Sequence, residues 1–222
     1  MKRVLLWGLG AVFLAAVIAS VVVDFSSMPV HARTHEFHVV IDAGHGGRDG
    51  GAVSRCGVKE SDINLAIAKF LEVELKSRNI GVTLTRTDQN SLANPFARNQ
   101  KKSDMEARRK IIERVAPDLV ISIHLNSLPS SPGVRGLQVF YDRTGCEKSK
   151  QWADVIQQHF NETNLNVNKR PLSGDFFILN CTRFPGVLIE CGFLSNQADV
   201  RLLVTESYQK MIAQNIAEAI DI

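Results

Sequence analysis

Apolar positions along the chain recur with two periods. Residues 37–42 (Phe-His-Val-Val-Ile-Asp) form a short β-type run ended by glycines, and residues 80–85, 119–123 and 136–141 have the same character. Between them, residues 61–77 place Ile63, Ile67, Phe70, Leu71 and Leu75 at helical spacing. Ser103-Asp104-Met105-Glu106 reads as a capping box opening a second helix, with Ile111, Ile112 and Val115 on one face and Pro117 as its stop. Trp152, Ile156 and Phe160 mark a third helix. Residues 176–179 and 186–190 predict two further strands, and Tyr208, Met211, Ile212, Ile216, Ala219 and Ile220 a closing amphipathic helix.

Strand and helix patterns alternate, and several strands are apolar on both faces. This predicts an α/β fold: one domain of three layers, α/β/α, around a mainly parallel, roughly six-stranded twisted sheet. Sites in such sheets form beyond the carboxyl ends of the strands. His45, His124 and Glu190 fall there, and Glu60 opens a helix.

The first 23 residues depart from this pattern. Lys2-Arg3 precedes an apolar run over residues 4–23 broken only by Ser20, which reads as an export signal with the two basic residues in the cytoplasm. The run is just long enough to span a bilayer, whereas Val30-His31-Ala32 resembles a small-residue cleavage site. Residues 1–32 are therefore expected to be a signal peptide or membrane anchor with a linker, and residues 33–222 the catalytic domain. Any membrane contact is expected only through that leader. The net charge of +3 includes Lys2 and Arg3, so the remainder is close to neutral and nucleic acid is excluded as a partner. Four cysteines in an exported chain permit disulfides, but their spacing specifies no pairing, and most are expected to be free and buried.

A catalytic zinc site uses three protein ligands and keeps one position open for water. His45 and His124 can supply imidazoles and Glu60 a carboxylate, while the glycines around His45 allow the backbone to turn sharply. Glu190, on another strand, is then available to take a proton from the water. Other candidates fit less well. His31, His35 and His38 straddle the linker and first strand, and His159 lies on a helix with Trp152 and Ile156. The loop over residues 44–51 matches neither GxGxxG nor the phosphate loop, and Val39 breaks an HExxH pattern after His35-Glu36. Ser122 and Cys191 stand near the site without a nucleophile-elbow motif.

Together, Asp42-Ala43-Gly44-His45-Gly46-Gly47, Lys59-Glu60, Thr85-Arg86-Thr87-Asp88, Ser122-Ile123-His124-Leu125-Asn126 and residues 188–196 (Leu-Ile-Glu-Cys-Gly-Phe-Leu-Ser-Asn) resemble the zinc-dependent N-acetylmuramoyl-L-alanine amidases of family 3. The resemblance runs from about Phe37 to the C-terminus. It implies His45, Glu60 and His124 as ligands of a Zn2+ cofactor and Glu190 as the catalytic glutamate. Arg86 and Asn126 become candidates for contacts to substrate or to the ligands, with a structural ion pair as the alternative for Arg86. Ala43 departs from the family's usual proline and removes no ligand.

The implied reaction is hydrolysis of the amide joining the lactyl group of N-acetylmuramic acid to L-alanine in peptidoglycan. The subtype resembled is the sporulation amidase that prepares cortex for muramic-lactam formation and germination. Action is then extracytoplasmic, in the cell wall or spore intermembrane space. No added wall-binding module is expected, which leaves the leader, the catalytic surface or an activating protein partner to localise the enzyme. No inhibitory helix is expected within residues 142–175. Two other readings compete: a zinc carboxypeptidase trimming stem peptides, and a non-catalytic wall-binding protein.

Overall fold

In the computed structural model, which describes residues 36–163, 165 and 168–220, strand β1 (His38–Ala43) is buried on both faces. It pairs in parallel with β2 (Gly81–Leu84) on one side and β3 (Leu119–Asn126) on the other. The sheet continues through β6 (Gly186–Phe193), β4 (Gln138–Tyr141) and β5 (Leu172–Ser173), in the order β2-β1-β3-β6-β4-β5. Only the β4–β6 pairing is antiparallel among these strands. The six-stranded, mainly parallel sheet is as expected. The expected leader, with His31 and His35, lies outside the described residues.

Alternation along the strands gives each face its own core. Val39, Ile41, Ile121, Ile123, Val187 and Ile189 join the larger cluster with helices α1 (Glu60–Ser77), α3 (Glu147–Glu162) and α6 (Glu206–Ala219). On the other face Val40, Val120 and Leu188 meet Ile112 of α2 (Gln100–Val115) and Ile178 and Leu179 of α4 (Phe177–Asn180). A further helix, α5 (Gln197–Leu203), follows β6. Burial on both sides is why these strands read as unbroken apolar runs. Toward their carboxyl ends the second face turns polar: Asp42 is in register with Ser122, and His124 with Glu190.

Three local expectations are corrected. The run at residues 176–179 is not a strand: Phe176 is extended and Phe177–Asn180 form one helical turn, with Ile178 and Leu179 buried and Phe177 half-exposed; a four-residue apolar run carries too little periodicity to separate the two. Helix α2 begins before the expected capping box, because Asn99 caps it by accepting from Lys102 N at 2.9 Å. Ser103 Oγ instead accepts from Asn94 N at 2.9 Å. The same helix stops at Ala116, whose left-handed backbone (φ 51°) lets its N–H reach Ile112 O at 2.9 Å, so Pro117 follows an end already made. Of residues 142–175, the described part contains α3, packed on the face away from Asp42 and His124, and β5.

The least expected core residue is Arg108 on α2, which is fully buried. Its Nη1 donates to Asp42 Oδ1 at 2.7 Å and its Nε to Asp104 Oδ2 at 2.7 Å. Thr85 Oγ1 and Ser122 Oγ also donate to Asp42, at 2.8 and 2.7 Å. Burial by itself would raise the Asp42 carboxyl, but the Arg108 guanidinium and the Ser122 hydroxyl outweigh it and hold it at about 2.

Removing one partner of a buried ion pair strands the other. Arg108→Met is therefore expected to lose about 3–5 kcal/mol in urea denaturation, part of which returns in the Asp42→Asn/Arg108→Met double variant. Because the folded value of Asp42 lies below its ordinary 3.8, its contribution is present above about pH 4 and lost as pH falls toward 2. Asp42→Asn should remove that part of the acid sensitivity.

Candidate metal and catalytic site

The site begins where β1 ends. His45 adopts a left-handed backbone (φ 61°), which costs a residue with a Cβ on the order of 1 kcal/mol or more unless its surroundings enforce it. Two buried arginines do so. Arg86 Nε donates to Ala43 O at 2.9 Å and its Nη2 to Gly44 O at 3.0 Å, reaching also to Ser61 O at 2.8 Å. Arg108 donates to Ala43 O at 2.7 Å and to His45 O at 2.6 Å. Three consecutive carbonyls are thus tied to two guanidiniums.

Held this way, His45 places Nδ1 3.0 Å from Asp49 Oδ2 and Nε2 3.2 Å from Glu60 Oε1. His124 on β3 brings its Nδ1 to 2.8 Å from the same Glu60 oxygen. Gly44 is needed for the approach, since a Cβ there would lie 2.3 Å from the His124 ring; one at Gly51 would lie 2.5 Å from Glu60 Oε2.

Glu60 is the first residue of α1, where the helix dipole favours an anion. Its Oε2 accepts from Ala52 N at 2.8 Å, and its Oε1 from Leu125 N at 3.1 Å and Asn64 Nδ2 at 3.3 Å. Burial works against its charge, yet the facing His124 and His45 hold the carboxyl well below the usual range. Burial also disfavours protonated His45, but Glu60 and Asp49 together raise that imidazole above its ordinary value. The ligand atoms of His45, Glu60 and His124 all lie within 4.8 Å of one another, so the group could hold a metal ion. Two imidazole nitrogens converging on one carboxylate oxygen are a donor set suited to zinc. Asp49, facing Nδ1 of His45, leaves Nε2 as the free lone pair, as metal-ligating histidines require.

Glu190 stands across the strand pair from His124. It is 8% exposed, and its Oε2 is buried without a hydrogen-bond partner among the described residues. Its carboxyl is pushed up to about 7, first by burial; Glu60 adds to the rise, and the two histidines oppose it. His45 and His124 line a cavity of about 330 Å³ whose apolar lining comes from Met105, Phe176, Phe177, Ile178 and Leu188. Asp175 is the one residue of 142–175 lining it among those described.

The structure brings His45, Glu60, His124 and Glu190 together. Arg86 binds backbone carbonyls of the His45 loop and of its own turn (Asp88 O, 2.8 Å). Asn126 ends β3 with its side-chain oxygen accepting from Ser127 N at 2.7 Å. His38 bonds to Thr83 Oγ1 at 3.0 Å, and His159 lies 3.5 Å from Glu218 across two helices. Sequence reading missed Asp49, Asn64 and Arg108. The i+4 spacing of Asp49 from His45 was available as a signal, as was the position of Arg108 four residues before Ile112 on the apolar face of its helix.

Gly44→Ala drives a methyl group into the His124 ring. Calorimetric titration with zinc should show roughly 10–100-fold weaker binding, with the circular dichroism of the sheet retained.

Comparison with known proteins places the chain in a family. The family model described as N-acetylmuramoyl-L-alanine amidase matches residues 39–221. A germination-specific N-acetylmuramoyl-L-alanine amidase of Bacillus subtilis (strain 168) is 34% identical over 187 residues, covering 82% of this chain and 77% of the relative. The CwlD amidase of Clostridioides difficile, solved in complex with the GerS lipoprotein, superposes with a TM-score of 0.78 at 34% identity, over 83% of this chain and 96% of that one. The catalytic domain of CwlV from Bacillus (Paenibacillus) polymyxa gives 0.70 at 33% identity, over 83% and 96%. With a family match spanning all four converging residues, the chain belongs to the N-acetylmuramoyl-L-alanine amidases.

Proposed function

We propose that His45, Glu60 and His124 hold a zinc ion and that Glu190 moves the proton as this amidase hydrolyses the bond between the lactyl group of N-acetylmuramic acid and L-alanine. The observation that carries this reading is the convergence of His45 Nε2 and His124 Nδ1 on Glu60 Oε1, with Glu190 across the strand pair, its Oε2 without a hydrogen-bond partner among the described residues. When bound, the metal would supply Lewis-acid polarisation of the lactyl carbonyl and lower the pKa of a water to about 7.

The chain's own residues do the rest. Asp49 fixes the tautomer of His45, the facing His124 and His45 keep Glu60 ionised, and backbone N–H groups of Ala52 and Leu125 orient it. Glu190 accepts a proton from the attacking water as its oxygen joins the lactyl carbon. It then delivers the proton to the alanine nitrogen as the C–N bond breaks. A carboxyl near neutrality suits both halves of that transfer. The apolar wall at Phe176, Phe177 and Leu188 limits water around the reacting amide.

The germination-specific relative and the lipoprotein-bound amidase support a role in spore cortex maturation and germination, with a protein partner that localises or activates the enzyme. Peptidoglycan as substrate requires export, for which residues 1–32 carry the sequence signal. Among the described residues no helix is long and apolar enough to cross a membrane, so anchoring, where present, falls to that leader.

Glu190→Gln is expected to lower kcat by about 10²–10⁴ while zinc titration remains that of the wild type. Full activity in that variant would remove Glu190 from the mechanism. Mass spectrometry of digested muropeptides should show release of whole stem peptides. Loss of a single terminal residue would instead indicate a carboxypeptidase.

A further inference from the structure

A second cavity of about 360 Å³ adjoins the first and shares Asp49, Lys101 and Met105 with it, so Lys101 stands at the junction between the two. Arg48, Ser91 and Asp104 also line the second cavity. Its charges are unevenly committed. Asp49 faces His45 Nδ1 with one oxygen and accepts from Gly51 N with the other, at 3.0 and 3.1 Å. Asp104 accepts from Leu92 N and from Arg108 Nε, each at 2.7 Å. The acids therefore have their donors.

The cations do not have acceptors. Among the described residues neither Lys101 nor Arg48 makes a side-chain hydrogen bond or ion pair, although Asp49 feels the charge of Lys101. Both are exposed at the cavity wall. The Ser91 hydroxyl oxygen accepts from Ala93 N at 3.4 Å, which leaves its proton to donate. Three donors, two of them charged, line a space that adjoins the cavity lined by His45 and His124.

From these observations we infer that Lys101 and Arg48 form a carboxylate subsite, specificity-determining for the stem peptide. It takes the free α-carboxylate of the second stem residue, an isoglutamate in unmodified peptidoglycan and an isoglutamine where that group is amidated. This rests on the amidase reading of the site. In the substrate that carboxylate follows the scissile nitrogen by less than two residues, a reach of at most ~7 Å. The span suits a cation lining the cavity that also contains His45 and His124. Amidation removes the negative charge while keeping the shape, so the subsite distinguishes the two by charge alone.

The test uses the zinc-loaded full chain and two synthetic muramyl peptides that differ only in isoglutamate or isoglutamine at the second position. The wild type is expected to favour the acidic substrate roughly tenfold in kcat/KM, carried by KM, since charge-assisted bonds at a partly exposed rim reach about that size. The Arg48→Gln/Lys101→Gln variant should bring the ratio close to one by losing affinity for the acidic substrate, and Lys101→Arg should keep the preference. Equal use of both substrates by the wild type, or a preference that survives the double substitution, would overturn the subsite while leaving the amidase reading intact. Failure to cleave either substrate would remove that reading and the subsite with it.

Discussion

The structure depends on two guanidiniums buried against one turn of backbone. Arg86 and Arg108 together bind the carbonyl oxygens of Ala43, Gly44 and His45, and these bonds hold His45 in a left-handed conformation that it would not adopt by itself. Placing two cations there is costly without counter-charge. Asp42 and Asp104 supply it, and Asp42 is itself the next-to-last residue of the strand that enters the turn. The strand, the turn, helix α2 and the first histidine thus form one electrostatic unit, which fixes the backbone from which the His45 ring projects.

From that unit the site assembles with little freedom. The absence of a Cβ at Gly44 lets His124 come up against the turn, and Glu60 is drawn to both rings at the start of its helix. The two glutamates then diverge through their surroundings. Glu60 accepts several backbone and side-chain donors and is held ionised, which suits a ligand. Glu190 is buried, with no partner for Oε2 among the described residues, and is pushed up to about 7, which suits a group that gains and loses a proton. Chemically identical side chains are shifted in opposite directions by where the chain places them.

Much of this was legible in the sequence because its causes are local. Runs apolar on both faces announced β1, β3 and β6 as interior strands, and four chemically suitable residues at element ends announced the site. Arg108 was not legible in the same way: its principal partner, Asp42, lies 66 residues earlier, and a lone arginine on an apolar helix face carries no sign of which carbonyls it will reach. The antiparallel direction of β4 and the helical turn at residues 177–180 were hidden for a related reason. Pairing direction is decided by neighbours distant in sequence, and a single turn is too short for periodicity to speak. For Arg86 the sequence marked the residue as a candidate for contacts to substrate or around the ligands, and in the structure it binds backbone carbonyls of the turn that carries His45.

The central claim is that one zinc ion sits among His45, Glu60 and His124. Anomalous diffraction from crystals of the zinc-loaded protein, recorded on both sides of the zinc absorption edge, tests it most directly. The account predicts a single peak bounded by His45 Nε2, Glu60 and His124 Nδ1, on the side of the sheet where Glu190 stands. A peak held by other residues, or none among these three at saturating zinc, would contradict it.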